Sequence, residues 1–184
     1  MIFDNRLEGI EFAVESAKIN GLYLEFGVYE GKSINLISYL VEPKKVYGFD
    51  SFIGLPEDWD RGDTIYKKGH FALKELPKVN YNVNLVEGFY EDSLAVWKEK
   101  HTDDISFIHI DVDLYSSTKT ILEELDKQIK PGTILCFDEY CDWTSSGIYD
   151  TWEEGEYKAF KEWGRDCELI AKHGLFGAVF KVLC

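Results

Sequence analysis

The apolar positions along the chain follow two periods, and these predict a succession of helices and strands. Apolar side chains three or four residues apart predict amphipathic helices, and short apolar runs bounded by glycine or polar residues predict strands. The predicted helices cover residues 6–19, 32–40, 92–100, 117–129 and 153–164. The predicted strands cover residues 23–26, 45–49, 81–87, 105–110, 133–137, 167–171 and 176–183.

The order of these elements predicts an α/β fold. Helices and strands alternate, which is typical of a mostly parallel sheet with helices on both faces. Residues 105–110 (ISFIHI) form a continuous apolar run, as expected of a central strand that is buried on both faces. The last two strands have no helix between them and predict a terminal antiparallel hairpin. We therefore expect a seven-stranded sheet in a single domain that covers residues 1–184.

Two stretches, 51–69 and 141–152, resist assignment to a helix or strand. Both are polar and contain glycine and aromatic residues, and stretches of this kind in compact domains are usually functional loops or lids. We expect residues 53–69 and 141–152 to become ordered when ligands bind and to cover a substrate with their aromatic side chains, which are Trp59, Tyr66, Trp143, Tyr149 and Trp152.

Charge and cysteine content narrow the class of protein. The chain has 34 acidic and 20 basic residues and no basic stripe, the nearest candidate, Lys67-Lys68, being only a pair, so a nucleic-acid substrate is not expected. It lacks an apolar run near 18 residues and a signal peptide, which predicts a cytoplasmic protein without a membrane partner. Four cysteines without zinc-like spacing suit a compartment in which thiols stay reduced.

The first candidate site is a glycine-bearing turn in residues 24–33. Gly27 would let the backbone pass close to a ligand, and Gly31 would let the following helix start close to the strand. The G-x-x-x-G spacing, with Tyr29 in the middle, differs from the dinucleotide pattern and suits a cofactor without phosphate. Glu25 at the strand end suits an ammonium group. A tight turn that binds no ligand remains the alternative.

Two further strand ends could complete a cofactor site. Asp50 lies 19 residues after Gly31, an offset at which a carboxylate typically accepts hydrogen bonds from ribose hydroxyls. After the third strand, Gly88 could let the chain wrap an adenine, with Phe89 or Tyr90 supplying a flat face. The alternatives are helix capping by the aspartate and ordinary core packing by the two aromatic residues.

Three acidic residues follow the next two strands. Asp111 ends the fourth strand, and Asp138 and Glu139 end the fifth. Neighbouring parallel strands would bring these carboxylates together, where they would repel one another unless a cation lies between them. Mg²⁺, which prefers oxygen ligands, is the simplest such cation. Separate helix capping and solvation are the alternative.

The histidines give weaker indications of a functional site than the acidic residues do. His109 lies within the apolar run and is expected in the core, and His70 is expected on the surface. His173 is predicted in a turn between the last two strands, near the expected substrate, and is therefore our candidate for a general base. No Ser-His-Asp or Cys-His arrangement is visible.

Five stretches of the chain resemble the macrocin O-methyltransferase family, which methylates sugar hydroxyls in macrolide biosynthesis. They occur in the family's order and cover most of residues 24–140. GFDSFIGLP and DVDLYSST are the most specific phrases. The stretches are LEFGVYEGKS (24–33), YGFDSFIGLPE (47–57), LVEGFYEDSL (85–94), FIHIDVDLYSSTKTILEEL (107–125) and KPGTILCFDEY (130–140).

The resemblance implies a Rossmann-like class I methyltransferase fold, S-adenosylmethionine as methyl donor and Mg²⁺ as activator. It also implies that Asp111, Asp138 and Glu139 are the metal ligands. Family members usually carry two aspartates before the tyrosine, where this chain has Asp138 and Glu139. Glutamate keeps the charge and lengthens the side chain.

Together these observations predict a metal-assisted O-methyltransferase that acts on a sugar-like or natural-product hydroxyl. Asp111 and His173 are the expected catalytic residues. The expected cofactor-binding residues are Glu25, Gly27, Val28, Tyr29, Gly31, Ser33, Asp50, Ser51, Gly88, Phe89 and Asp111. The alternatives are a metal-independent N- or O-methyltransferase, a cofactor-binding module without catalysis, and a nicotinamide enzyme, against which the missing middle glycine argues. A homo-oligomer remains open.

Overall fold

The computed structural model describes residues 1–184 and contains five helices and ten strands. The helices are α1 (Arg6–Ser16), α2 (Lys32–Val41), α3 (Tyr90–Lys98), α4 (Tyr115–Leu125) and α5 (Glu156–Trp163), and a 3₁₀ turn covers Trp152–Glu154. The strands are β1 (Ile2–Phe3), β2 (Leu22–Phe26), β3 (Val46–Asp50), β4 (Trp59–Asp60), β5 (Ile65–Tyr66), β6 (Val83–Glu87), β7 (Ile105–Ile110), β8 (Ile129–Phe137), β9 (Cys167–His173) and β10 (Gly177–Val182).

The main sheet has eight strands in the order β1-β9-β10-β8-β7-β2-β3-β6. Only β10 is antiparallel to its neighbours, so the predicted α/β fold with a terminal hairpin is confirmed. The predicted number of seven strands is corrected to eight. The additional strand is β1, which pairs with β9 through Ile2↔Lys172 and Phe3↔His173. A strand of two residues has no periodicity that a sequence pattern could reveal.

The hydrophobic core lies on both faces of the sheet. All six residues of β7 are buried, as its unbroken apolar sequence predicted. Phe107 faces the layer formed by α1 and α2, whereas Ile108 and Ile110 face the layer formed by α3, α4 and α5. Burial of each such side chain contributes about 1.5–3 kcal/mol to stability. No helix in the structure combines the length and the apolar composition that a membrane-spanning segment requires.

The structure shifts several predicted boundaries. The predicted helix 117–129 begins at Tyr115 and ends at Leu125, and the expected turn at Pro131 and Gly132 lies within β8. The register of β8 against β7 is irregular there, so Pro131 needs no ladder hydrogen bond. At the other boundary, the predicted helix 153–164 divides at Gly155 into the 3₁₀ turn and α5.

The two unassigned stretches pack against each other. Residues 51–69 contain the small antiparallel pair β4–β5, in which Trp59 lies opposite Tyr66. Gly62 forms a bridge with Tyr149 of the second stretch. Trp59 and Tyr149 are both buried, and they belong to a small hydrophobic cluster that is separate from the core layers on the two faces of the sheet. Their rings pack edge to face with centroids 5.9 Å apart. Ligand-dependent ordering of these loops stays a prediction.

The strand order positions the candidate site. β2 lies between β3 and β7 in the sheet. The chain proceeds outward from β2 through β3 and β6 on one side, and through β7 and β8 on the other, so the order of strands reverses between β2 and β7. Open α/β sheets bind ligands beyond the carboxyl ends of their strands at such a switch point. The carboxyl ends of β2, β3, β6, β7 and β8 all lie at this edge, because these strands are parallel.

Candidate active site

A cavity of about 260 Å³ opens at the carboxyl ends of the parallel strands. The residues that follow β2, β3, β6, β7 and β8 form its floor, and residues 51–69 form part of its wall. Of the predicted cofactor residues, seven line the cavity, namely Gly27, Tyr29, Asp50, Ser51, Gly88, Phe89 and Asp111. The cavity therefore joins the separate strand ends that the sequence analysis singled out.

The turn after β2 brings the backbone to the cavity. Gly27 has φ +86°, and a Cβ atom at this position would lie 1.8 Å from the carbonyl oxygen of Asp111. No side chain fits there, so glycine is required for the close approach of the two strand ends. Tyr29 has φ +45°, and its backbone N–H donates to Asp50 Oδ2 at 2.8 Å.

Asp50 at the end of β3 is held in a fixed orientation. Its Oδ1 accepts a hydrogen bond from the N–H of Phe52 at 2.8 Å, and its Oδ2 accepts the bond from Tyr29. Each carboxylate oxygen can accept a second bond, so Asp50 retains capacity for a ligand's hydroxyl groups. Ser51 lies beside it and donates its hydroxyl to the carbonyl oxygen of Gly54 at 2.9 Å.

The segment after β6 supplies a flat wall. Gly88 has φ +129°, and the rings of Phe89 and Tyr90 follow it at the start of α3 and line the cavity. The Tyr90 ring packs edge-on against Phe26, with centroids 5.5 Å apart. Burial, followed by the charge of Asp50, raises the pKa of Tyr90 well above its usual range, so its hydroxyl keeps its proton. This arrangement suits an aromatic heterocycle.

The structure corrects part of the predicted cofactor site. Glu25 has no exposed surface and points into the layer of α1 and α2, where it accepts a hydrogen bond from Ser33 Oγ at 3.1 Å. Its other oxygen lies 3.0 Å from His109 Nδ1. Val28 is buried in the core, and Gly31 caps α2 outside the cavity. These four predicted residues support the turn from beneath and do not face the cavity.

The two histidines near β7 and β9 are both buried. Burial lowers the pKa of His109, but the hydrogen bond and charge of Glu25 raise it, and the net shift is upward. His173 lies in β9 and not in a turn, with 1% of its surface exposed and its Nε2 3.4 Å from Cys136 Sγ. Burial lowers the pKa of His173 to about 4. His173 does not line the cavity, so its prediction as general base is corrected.

The predicted acidic residues do converge. Asp111, Asp138 and Glu139 all line the cavity, together with Asp113, which the sequence analysis did not assign to the site. Burial and the charge of Asp138 raise the pKa of Asp111 well above its usual range. The same two causes raise the pKa of Glu139 to about 8. The strand ends thus concentrate negative charge at one side of the cavity.

An arginine that the sequence analysis missed lies between two of these carboxylates. Arg6 Nε donates to Asp138 Oδ1 at 2.6 Å, and Arg6 Nη2 donates to Asp111 Oδ2. Burial lowers the pKa of Arg6, but the charges of Asp138 and Asp111 together raise it by more than burial lowers it. The guanidinium therefore stays charged. No three acidic, histidine or cysteine side chains of the chain are grouped closely enough to form a ready metal site.

A second arginine reaches the cavity from the loop 51–69. The Arg61 guanidinium lies among three aromatic rings, 5.3 Å from the centroid of Trp59, 5.2 Å from that of Tyr149 and 5.3 Å from that of Phe176. Its charge lowers the pKa of Glu139, against the larger effects of burial and Asp138. Arg61 therefore links the loop to the acidic side of the cavity.

Glu156 of α5 fixes the backbone that carries the acidic residues. It is fully buried, and its Oε1 accepts hydrogen bonds from the N–H groups of Val112 at 3.2 Å and Asp113 at 3.3 Å. Its Oε2 accepts from the N–H of Glu139 at 3.2 Å. One side chain thus joins the segments after β7 and β8. In the sequence it looks like a solvated position of an amphipathic helix, so no local signal identifies it.

The loop aromatics divide into two groups. Trp59 and Tyr66 line the cavity, with stacked rings whose centroids lie 5.1 Å apart. Tyr149 is buried, Trp143 lies under the ammonium group of Lys172 at 3.8 Å, and neither of them lines the cavity. Trp152, also outside the cavity, packs against Tyr157. In this structure the aromatics of residues 141–152 therefore have packing roles, and their cover of a bound acceptor stays a prediction.

Comparison with known proteins places this cavity in context. The family profile described as Macrocin-O-methyltransferase (TylF) matches residues 1–176. A relative from Streptomyces olivaceus, 8-demethyl-8-(2,3-dimethoxy-alpha-L-rhamnosyl)-tetracenomycin-C 4'-O-methyltransferase, is 26% identical over 164 residues. That match covers 76% of this chain, and the chain spans 62% of the length of the relative.

Solved structures are similar in fold. CalS11, a calicheamicin methyltransferase, superposes with a TM-score of 0.73 at 22% identity, covering 95% of this chain and 77% of that one. An O-methyltransferase from Bacillus cereus in complex with SAH superposes with a TM-score of 0.62 at 16% identity, covering 97% and 80%. The Rossmann-like class I fold implied by the resemblance is thereby confirmed.

Proposed function

The chain belongs to the macrocin O-methyltransferase family, and on this premise we propose that it transfers a methyl group from S-adenosylmethionine to a hydroxyl of a sugar-like or natural-product molecule. The observation that carries the proposal is that the turn at Gly27, the carboxylate of Asp50 and the aromatic wall at Phe89 line the same cavity as the acidic strand ends. We propose that residues 1–184 act as one domain in this reaction.

The cofactor-binding roles follow from the geometry of the cavity. Asp50 would accept hydrogen bonds from the ribose hydroxyls with its remaining lone pairs, and the rings of Phe89 and Tyr90 would pack against the adenine. The backbone at Gly27 would let the methionine part of the cofactor pass close to β2. The SAH complex of the structurally similar Bacillus cereus enzyme supports this choice of cofactor.

The charge of the cavity suits a cationic methyl donor. Eight charged side chains line it, six acidic and two basic: Asp50, Glu91, Asp111, Asp113, Asp138 and Glu139 against Arg6 and Arg61. A sulfonium carries one positive charge, so an acidic cleft raises its local concentration. The same charge disfavours a pyrophosphate, which supports S-adenosylmethionine over a nicotinamide dinucleotide.

We further propose that Asp111, Asp138 and Glu139 hold Mg²⁺. Carboxylate oxygens are the ligands that this ion prefers, and Glu139 Oε2 is buried without a hydrogen-bond partner, so it is free to bind a cation. When bound, the ion would supply positive charge that lowers the pKa of the acceptor hydroxyl. The residues fit the ion in chemistry, although Arg6 contacts two of the three carboxylates.

The chain's own residues can position the acceptor and receive its proton. In the transfer, the acceptor oxygen forms a bond to the methyl carbon while the carbon–sulfur bond breaks, and the hydroxyl proton leaves. Asp111 lies in the cavity, and its carboxylate oxygens can accept a proton. We propose that Asp111 receives this proton. The flat rings of Trp59 and Tyr66 would pack against the apolar face of the acceptor.

One observation favours a second candidate function, a methyltransferase that needs no metal. Arg6 already neutralises part of the charge on Asp111 and Asp138, so the acidic group is not without a cation. Activity in excess EDTA would favour this candidate.

We also propose a cytoplasmic, reducing location for the protein, and the four unpaired cysteines support it.

The cofactor proposal is tested by titration with S-adenosylhomocysteine and NAD. We expect one site per chain for the former and no binding of the latter. Asp50→Ala should weaken binding by about tenfold to a hundredfold, because hydrogen bonds to a charged group contribute about 1.5–3 kcal/mol. Asp50→Asn should give an intermediate loss, and exposed Asp103→Ala is the matched control. Unchanged affinity in a folded Asp50→Ala variant would refute the ribose assignment.

The methyl-transfer proposal is tested with radiolabelled S-adenosylmethionine and a panel of glycosides and hydroxylated natural products. We expect transfer of label to at least one hydroxyl, loss of transfer in EDTA and its recovery on addition of Mg²⁺. Cofactor binding without transfer to any member of a broad panel would instead favour a module without catalysis.

A further inference from the structure

We propose that Arg6 is a built-in counter-ion of the acidic site, which holds Asp111 and Asp138 together and must leave before a divalent cation binds them. The inference rests on the proposed metal site. It assigns to Arg6 a role in setting the affinity of that site for cations. Arg6 is then a positioning residue in the metal-free protein and a competitor of the metal.

The geometry places the guanidinium between the two strand ends. Arg6 is the first residue of α1, and its two side-chain hydrogen bonds run to Asp138 at the end of β8 and to Asp111 at the end of β7. Bonds of this kind, between a charged donor and a charged acceptor, are among the strongest in proteins. The guanidinium therefore joins two carboxylates that would also hold the proposed metal.

Simultaneous binding of both cations at these carboxylates is unfavourable. Asp111 and Asp138 would hold a divalent ion with the same carboxylates that now bind the guanidinium, and two cations at one pair of carboxylates repel each other strongly in a partly buried site. The metal would also need carboxylate oxygens that now accept hydrogen bonds from Arg6. Binding of the ion therefore requires the guanidinium to move away.

Arg6 can leave without disrupting the fold. Its side chain is 39% exposed, so a change of side-chain rotamer would bring the guanidinium into water. The start of α1 is fixed independently, because the Asn5 side chain accepts a hydrogen bond from the N–H of Leu7 and β1 pairs with β9. The positive end of the helix dipole also disfavours an arginine at this position. The two carboxylates are thus what retains Arg6 over the cavity.

Competition lowers the apparent affinity of the site for a cation, because only molecules with Arg6 displaced can bind it. Removal of the guanidinium should consequently strengthen cation binding. At the same time the metal-free protein should become less stable, because Asp111 and Asp138 would lose the counter-ion that now bonds to both of them. These two effects have opposite signs, which a general loss of structure would not produce.

The test is titration of the full-length chain with Mn²⁺, with free ion counted by electron paramagnetic resonance. Wild type is compared with Arg6→Gln, which keeps the length of the side chain and removes its charge. Lys158→Gln, at a solvent-accessible position of α5, is the control for the change in net charge. We expect Arg6→Gln to bind Mn²⁺ about tenfold more tightly, a change of about 1.4 kcal/mol, and Lys158→Gln to bind as wild type does. Melting temperatures without metal should fall for Arg6→Gln alone.

The possible outcomes are distinguishable. Equal Mn²⁺ affinity of wild type and Arg6→Gln would overturn the role of Arg6 and leave the metal site standing. Absence of Mn²⁺ binding in both proteins would overturn the metal site and the competition together, whereas binding of S-adenosylhomocysteine, measured in parallel, would still test the cofactor site. If Arg6→Gln does not fold, Arg6→Lys replaces it. Its single ammonium group bridges two carboxylates less well than a guanidinium, so an intermediate gain in affinity is expected.

Discussion

The most informative single substitution outside the cavity is Glu156→Gln. Glutamine has the same shape as glutamate but replaces one carboxylate oxygen by an NH₂ group. Oε1 of Glu156 accepts two backbone hydrogen bonds and Oε2 accepts one. All three partners are donors, so the NH₂ group must face at least one N–H group.

The size of the effect can be worked out from these contacts. In its better orientation the glutamine oxygen keeps the bonds from Val112 and Asp113, and the bond from the N–H of Glu139 is lost. A hydrogen bond to a charged group contributes about 1.5–3 kcal/mol, and each buried donor left without a partner costs about 1–3 kcal/mol. We therefore expect the free energy of unfolding to fall by about 3 kcal/mol.

The assay is urea denaturation followed by circular dichroism at constant pH. The matched control is Glu153→Gln, which makes the same chemical change at an exposed position close by in the chain and should leave the midpoint unchanged. Affinity for S-adenosylhomocysteine should change little, because Glu156 holds the acidic segments and not the cofactor wall. Methyl transfer should fall, because Asp113 and Glu139 lose their fixed positions.

A Glu156→Gln variant as stable as wild type would refute this reasoning. Burial raises the pKa of Glu156 well above its usual range, although the hydrogen bond from the backbone N–H of Val112 acts in the opposite direction. The three donors around Glu156 favour the ionised form, because a protonated oxygen would point its hydrogen at one of them. Full tolerance of glutamine would mean that a neutral side chain suffices and that the three contacts do not depend on charge.

Three further predictions follow from the same structure. Because burial lowers the pKa of His173 to about 4, His173 takes up a proton in the unfolded chain before it does so in the folded protein as the pH falls. Wild type should therefore lose stability between about pH 6.5 and 4 relative to His173→Gln, by at most about 1.4 kcal/mol per pH unit in urea melts. Parallel pH profiles of the two proteins would contradict the burial argument. Gly27→Ala should fail to fold stably or to bind S-adenosylhomocysteine, since its Cβ would overlap the Asp111 carbonyl; normal thermal melting and normal affinity would argue against this overlap. Hydrogen exchange should show protection of residues 51–69 and 141–152 when cofactor and acceptor bind, and equal exchange in both states would mean that these loops are permanently ordered.

The sequence by itself determined the fold class and much of the cavity floor. Asp50, Asp111 and Asp138 could be placed because each directly follows a recognisable strand, and parallel strands end at one edge of the sheet. The positions of Gly27 and Gly88 follow from the same reasoning. The family resemblance, confirmed by the match over residues 1–176, rests on these same local stretches.

The face of the sheet to which a side chain of a buried strand points could not be predicted from the sequence pattern. Glu25 lies at a strand end next to the glycine turn, but β2 is covered on both faces, so its sequence does not show which side a residue faces. The structure turns Glu25 towards Ser33 and His109 and away from the cavity. His173 was misplaced for a related reason, because β9 extends through the position where a turn was expected.

Only the tertiary structure decided which distant residues complete the site. Arg6 lies 105 residues from Asp111 and 132 from Asp138, and Glu156 lies 43 and 44 residues from Asp113 and Val112. Sequence periodicity reports which face of an element is apolar, and it contains no information about which charged side chains of separate elements will meet. The counter-ion of the acidic site and the carboxylate that fixes its backbone depend on how α1 and α5 pack against the ends of β7 and β8.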